Sequence, residues 1–287
     1  MNHPDAVAAF DRLLTIMDEL REKCPWDRKQ TTESLRHLTI EEMYELSDAI
    51  LEGDAPEIRQ ELGDLMLHLV FYSKIASEQN QFTITEVLNG ICDKLIRRHP
   101  HIYGEVQAHD AATVERNWEQ IKLQEKGNTK KTVLGGVPQS LPAMVKAYRM
   151  QEKARGVGFD WEHPEQVWEK VQEELAEFKE EIQHGDAAQQ NAARPNAARP
   201  NAARQEEEFG DLLFSLINYA RFAGINPEDA LERTNKKFMR RFNYLEAQAQ
   251  AHGKQLSEMT LDEMDVYWEE AKRVLSSESS ELNSSKF

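Results

Sequence analysis

Cysteine is nearly missing from this chain: Cys24 and Cys92 are the only two in 287 residues. Two cysteines build no disulfide framework, so a small cross-linked secreted scaffold is excluded and a reducing, cytoplasmic setting is expected. No apolar run reaches the ~20 residues that a membrane-spanning helix needs. The N-terminal stretch MNHPDAVAAFDRLL has neither a basic start nor a long apolar core, so no signal peptide is expected. Sustained apolar–polar alternation is absent, which argues against any sheet. Cations are in the minority, 35 Lys and Arg against 51 Asp and Glu, for a net charge of −16. That balance argues against a nucleic-acid backbone as partner.

What is present is helical spacing. Phe10, Leu13, Leu14, Met17 and Leu20 mark a first helix that stops before Pro25. Leu62, Leu65, Met66, Leu69 and Val70 predict the inner face of another. Thr83-x-x-Glu86 and Thr260-x-x-Glu263 are capping boxes, and Asn226-Pro227 is an N-cap followed by proline at the first helical position. The fold class expected is all-α. The length allows two domains, and a polar, glycine-bearing break divides them. The expected boundaries are 1–126, a linker at 127–142, 143–275, and a serine-rich tail at 276–287 expected to be disordered. Within the second domain lies a low-complexity run, NAARPNAARPNAAR, at 191–204. Its prolines interrupt helix, and it is expected to project from a hairpin tip, where added length costs little.

The chemistry concentrates in a duplicated acidic pattern. Glu41-Glu42-x-x-Glu45 is followed by Glu61-x-x-Asp64, and Glu173-Glu174-x-x-Glu177 is followed by Glu208-x-x-Asp211. The second gap is longer by about the length of the NAARP run. Residues three apart on a helix are neighbours on one face. Gly53 lies midway between the two halves of the first copy, in Glu52-Gly53-Asp54-Ala55-Pro56, a helix stop followed by a helix start. A hairpin folded there sets Glu45 level with Glu61 and Glu42 level with Asp64. Four converging carboxylates repel one another unless protonated or neutralised, and a hard divalent cation such as Mg²⁺ does the latter. A single such pair is ordinarily a solvated helix face, and Thr39-x-x-Glu42 alone reads as a capping box. Two pairs at matching height, present twice, favour a metal site.

The repeat extends further. Cys24-Pro25-Trp26-Asp27 answers Gly158-Phe159-Asp160-Trp161. Lys94, Arg97 and Arg98 answer Lys237, Arg240 and Arg241; Trp118 and Lys122 answer Trp268 and Lys272. Singly, a tryptophan at helical spacing is usually core and a Lys-Arg run usually solvated. Repeated in this order, they suit a nucleoside polyphosphate: cations for phosphates, an indole to cover a base.

These residues resemble the MazG family of tandem-domain nucleoside triphosphate pyrophosphohydrolases. The likeness runs from Phe10 to Val274 and includes CPWD at 24–27, both acidic pairs, RRHPH at 97–101, VGFDW at 157–161 and KFMRRF at 237–242. The NAARP run departs from the family pattern. The resemblance implies two tandem copies of an all-α nucleoside triphosphate pyrophosphatase bundle and a homodimer. It also implies Mg²⁺ dependence, with Mn²⁺ as a possible substitute. The implied reaction is hydrolysis of NTPs and dNTPs to monophosphate and pyrophosphate, with broad base tolerance. Glu174, Glu177, Glu208 and Asp211 are then the expected metal ligands, with Glu41, Glu42, Glu45, Glu61 and Asp64 as the second, metal-like site. Glu173 is the extra carboxylate expected to orient or deprotonate water. Lys237, Arg240, Arg241 and Lys272 are expected on the phosphates and Trp268 on the nucleoside.

The alternative is a non-catalytic nucleotide-sensing or partner-binding module. A redox di-metal bundle is disfavoured, since it needs two Glu-x-x-His motifs and only Glu181-x-x-His184 is present. The copies also differ in flanking charge. Lys170 and Arg204 stand one turn before Glu174 and Glu208; Leu38 and Glu57 hold the matching places before Glu42 and Glu61. Both cations are therefore expected to contact nucleotide, and the C-terminal copy is expected to carry most of the hydrolysis.

Overall fold

A computed structural model describes residues 3–106, 132–190 and 201–284, together with 110, 113, 114, 117, 118, 121 and 122. Among these residues there are helices and turns and no strand. The chain divides into two units, Met1–Thr129 and Lys130–Phe287.

In the first unit α1 spans Pro4–Lys23, α2 Thr32–Glu52, α3 Ala55–Glu78, α4 Ile84–Arg98 and α5 Pro100–Tyr103. The boundaries follow from local chemistry. Thr31 caps α2 in a reciprocal box with Ser34. Gly53, at φ +69°, ends α2 in the left-handed conformation that glycine adopts without a Cβ penalty. Asp54 then accepts from the Glu57 amide to start α3. The result is the tight α2–α3 hairpin. Thr39 lies inside α2, its hydroxyl donating to the Leu35 carbonyl at 3.1 Å, so it caps nothing.

Met17, Leu35, Val70, Phe71 and Ile75 form the core where α1 lies across this hairpin, with Phe10, Leu13, Leu14, Leu38, Leu67 and Tyr72 around them. Arg21 of α1 locks the arrangement. It pairs with Glu78 at the end of α3 (2.5 Å) and donates to the carbonyls of Asp27 and Gln30. The CPWD turn is thereby held against the helix ends.

One expected face is corrected. Val70 is buried, but Leu62, Met66 and Leu69 are about half exposed, at 53, 43 and 56%. The inward side of α3 instead carries Glu61, His68, Val70, Phe71 and Ile75. This helix is apolar on two sides, and periodicity alone does not say which side meets α1.

In the second unit α6 spans Ala143–Arg155, α7 Pro164–Gln190, α8 Ala202–Phe222, α9 Pro227–Ala251 and α10 Leu261–Ser284. α7 pairs with α8 and α9 with α10, while α6 packs against α8 and α9. The Gln151 amide donates to the Phe214 carbonyl at 2.8 Å, and Arg221 near the end of α8 grips Asp160 of the GFDW turn with both terminal nitrogens. Asn226 caps α9, with Pro227 following. Val167, Val171, Leu212, Ile217, Leu245, Ala249 and Ala271 are buried.

The connecting segments are described in part. The part of the expected linker from 132 onward carries a 3-10 turn, Leu134–Gly136, and is tied to α6 where Lys146 donates to the Gln139 carbonyl at 2.6 Å. The tail expected to be disordered from Ser276 continues α10 as far as Ser284. Adding residues to a formed helix requires no new nucleus, which lets even a serine-rich stretch propagate it. Residues 191–200, most of the NAARP run and the expected tip of the second hairpin, lie outside the described residues; α8 takes up the run from Ala202.

Candidate metal and nucleotide site

The two hairpins each gather carboxylates across their arms. In the first, α2 supplies Glu42 and Glu45 and α3 supplies Glu61; an oxygen from each lies within 4.8 Å of the others. Asp64 stands one turn beyond and adds its charge to Glu61. Glu41 is exposed, outside the three-oxygen group. In the second, α7 supplies Glu174 and α8 supplies Glu208 and Asp211, again within 4.8 Å. Glu177 is exposed and outside this group of three, yet its charge presses on Glu208.

Both centres hold more negative charge than they accommodate easily. Glu61 is only 1% exposed, and its Oε2 has no hydrogen-bond partner. Burial pushes its carboxyl up, helped by Glu45, a hydrogen bond with Glu42, and Asp64. Burial likewise pushes Glu208 up, followed by Glu177, Asp211 and Glu174. Oxygen-only donors, crowded and partly buried, fit a hard divalent cation and not a soft one.

Such groups predict a measurable penalty in the metal-free protein. Their folded pKa lies above the unfolded value, so between the two the folded state holds more protons, and stability falls as pH rises through that window. Glu208→Gln is therefore expected to raise the metal-free melting temperature at pH 7.5, measured by calorimetry. Divalent-cation affinity is expected to fall towards pH 5 as protons compete for the same oxygens.

The flanking cations are already engaged. Lys170 Nζ sits 2.8 Å from Glu173 and 2.8 Å from Glu174. Glu173, expected to handle water, is thus held by Lys170 on the exposed side of α7. Arg204 lies 3.6 Å from Glu181, beside which Asn201 and Gln205 also bind, so Glu181 closes this end of the α7–α8 hairpin. Sequence reasoning missed Glu181 in this role, because its partners sit beyond the NAARP run. It also missed His68. This residue is buried on α3, seven positions after Glu61 and so on the same side of the helix, with Nδ1 unpartnered. Spacing was the available signal. The matching Ser215 donates to the Leu212 carbonyl at 2.9 Å.

The basic and aromatic residues form a second group, on α9 and α10. Phe238 and Phe242 stack at 6.1 Å, Trp268 meets Phe238 at 5.2 Å, and the Arg241 guanidinium lies 5.9 Å from the indole. Lys237 and Arg240 are exposed on α9, and Lys272 pairs with Glu269 at 2.5 Å. The first unit repeats the corner with imidazoles. Arg98 covers Trp118 at 5.5 Å, and His99 meets the same ring edge-on at 4.8 Å with His101 beside it.

Fold and site together define an all-α protein with two carboxylate centres suited to a hard divalent cation, each in a unit that also carries a cationic, aromatic corner. Comparison with known proteins identifies the family. The MazG nucleotide pyrophosphohydrolase domain matches residues 30–103 and 162–245, so each match contains one acidic pattern and one Lys-x-x-Arg-Arg motif. The chain is 43% identical over 270 residues to the "Nucleoside triphosphate pyrophosphohydrolase/pyrophosphatase MazG" of Thermotoga maritima, covering 93% of this chain and 97% of that protein. It is 39% identical over 268 residues to the "Nucleoside triphosphate pyrophosphohydrolase" of Escherichia coli K12, covering 92% and 97%. A crystal structure of a mazG-related protein from Thermotoga maritima aligns with 39% of this chain and 97% of that one, at 24% identity and a TM-score of 0.36. The chain belongs to the MazG family.

Proposed function

We propose that this chain is a nucleoside triphosphate pyrophosphohydrolase. It hydrolyses NTPs and dNTPs to the monophosphate and pyrophosphate with broad base tolerance, and its working centre is the carboxylate cluster of the α7–α8 hairpin. The observation that carries the reading is the recurrence of one oxygen-only carboxylate group on two hairpins of a MazG-family chain.

Glu174, Glu208 and Asp211 would hold Mg²⁺, or Mn²⁺ in its place, with Glu177, whose charge presses on Glu208, as the fourth ligand. The cation supplies neutralisation of phosphate oxygens and a water made more acidic. The chain's own groups do the rest. Lys237, Arg240, Arg241 and Lys272 bind phosphate oxygens as charge-assisted donors. Trp268 covers the nucleoside, a contact that tolerates any base because every base has a π face. Glu173 orients the water or takes its proton once Lys170 leaves it. Attack at the α-phosphorus breaks the bond to the bridging oxygen, and pyrophosphate departs. The distinguishing experiment adds Mg²⁺ and NTP to the stripped protein. Release of pyrophosphate supports the enzyme; nucleotide binding without release supports a sensing module instead.

The protein acts as a homodimer. Each unit taken by itself leaves large apolar side chains in solvent: Met43, Tyr44 and Leu69 in the first, Phe209, Phe214 and Met239 in the second. Faces of this kind are ordinarily covered, and a helical hairpin completes a bundle by gaining further helices. Light scattering at micromolar concentration is expected to give twice the 33.1 kDa chain mass; the monomer mass contradicts the assignment. Free Cys24 and Cys92 suit a cytoplasmic protein.

A further inference from the structure

Lys170 stands where a metal-site cation belongs. Its ammonium is equidistant, at 2.8 Å, from Glu173 and from Glu174, and Glu174 is one of the three carboxylates that converge in the α7–α8 hairpin. Glu174 is nine-tenths buried, whereas Lys170 keeps about a third of its side chain in solvent, at 37%. The carboxylate is therefore fixed and the amine, on its flexible stem, is able to leave. The other copy has no such device. Leu38 occupies the matching place and packs into the core beside Leu35 and Val70.

We infer that Lys170 is a built-in counter-cation of the C-terminal centre, displaced when a divalent cation takes Glu174 and thereby freed to meet a phosphate of the incoming nucleotide. Two cations sharing one carboxylate repel strongly at about 4 Å, so the ammonium and the metal exclude each other from Glu174. A triphosphate then offers the released ammonium stronger charge-assisted acceptors than the exposed Glu173 does. Metal and substrate binding are in this way coupled through a single side chain: nucleotide reaches a free Lys170 only where metal is already seated. The same coupling frees Glu173, which lies next in sequence to the metal ligand Glu174. The first copy, with leucine at this position, lacks the coupling. The second half of the inference rests on the nucleotide reading above; the displacement itself does not.

Amine labelling of the whole chain, read residue by residue by mass spectrometry, tests both halves. Lys254, paired with Glu263 at 2.9 Å, serves as an internal reference. Without metal, Lys170 is expected to label slowly. Saturating Mg²⁺ is expected to raise its rate severalfold while Lys254 stays constant. Adding a non-hydrolysable α,β-methylene triphosphate is expected to slow Lys170 again. Unchanged Lys170 labelling with Mg²⁺ overturns the displacement. A rise with Mg²⁺ that the analogue does not reverse upholds the displacement and counts against the nucleotide reading. A second measurement uses Mn²⁺ titration by calorimetry, with the first centre disabled by Glu45→Ala and Glu61→Gln. Lys170→Met is expected to bind Mn²⁺ about two- to fivefold more tightly, the scale of one lost ion pair; equal affinity contradicts the proposal.

Discussion

Glu174→Gln and Asp211→Asn are each expected to stop pyrophosphate release, with a loss of at least about a hundredfold, more than is typical for a residue that only supports a metal ligand. Both side chains belong to the group whose oxygens converge within 4.8 Å. Each substitution keeps the shape and removes one negative charge from a set that repels itself, so the fold is expected to survive and the metal-free protein to be no less stable. Helical content and melting temperature separate loss of chemistry from loss of structure. Near-normal turnover by either variant at saturating Mg²⁺ removes that residue from the metal site.

The second large effect separates the two copies. Glu177→Ala is expected to lose most of the activity and Glu45→Ala little of it. Lys170 stands beside the C-terminal carboxylates and Arg204 one turn before Glu208, while Leu38 is packed into the first unit's core and Glu57 adds an anion there. A triphosphate brings roughly four negative charges, and each charge-assisted contact contributes about 1.5–3 kcal/mol. Two such contacts in one copy and none in the other amount to a difference on the order of a hundredfold to ten-thousandfold. Glu45, with Glu42 and Glu61, then serves a structural, regulatory or narrower substrate role. A dead Glu45→Ala beside an active Glu177→Ala, assayed on the same nucleotides, shows that flanking charge does not decide which copy works.

The carboxylate centres are legible in the sequence because every element that builds them is local. Glutamates three apart share a helix face, and Gly53 with Asp54 folds one arm onto the other. The capping residues Thr83, Thr260 and Asn226 are legible for the same reason. What escapes is set by long-range packing. Arg21 meets Glu78 and Arg221 meets Asp160 across many residues, and no spacing rule links them. Leu62, Met66 and Leu69 read as core because a helix apolar on two sides has no single inward face. Lys170 reads as a phosphate ligand from its position one turn before Glu174; its hold on Glu173 and Glu174 emerges only from side-chain geometry. His68 has no partner on Nδ1 and a serine, Ser215, at its place in the second copy, and the structure gives no account of the difference.

The central claim is hydrolysis at the α-phosphorus, and one measurement reaches it directly. The intact chain is incubated with Mg²⁺ and each common NTP and dNTP in ¹⁸O-labelled water, and the products are resolved by mass spectrometry. The expected result is monophosphate and pyrophosphate in equal amounts, with the label on the monophosphate, for several bases. Diphosphate with inorganic phosphate, label on the pyrophosphate, or no turnover at saturating Mg²⁺ contradicts it.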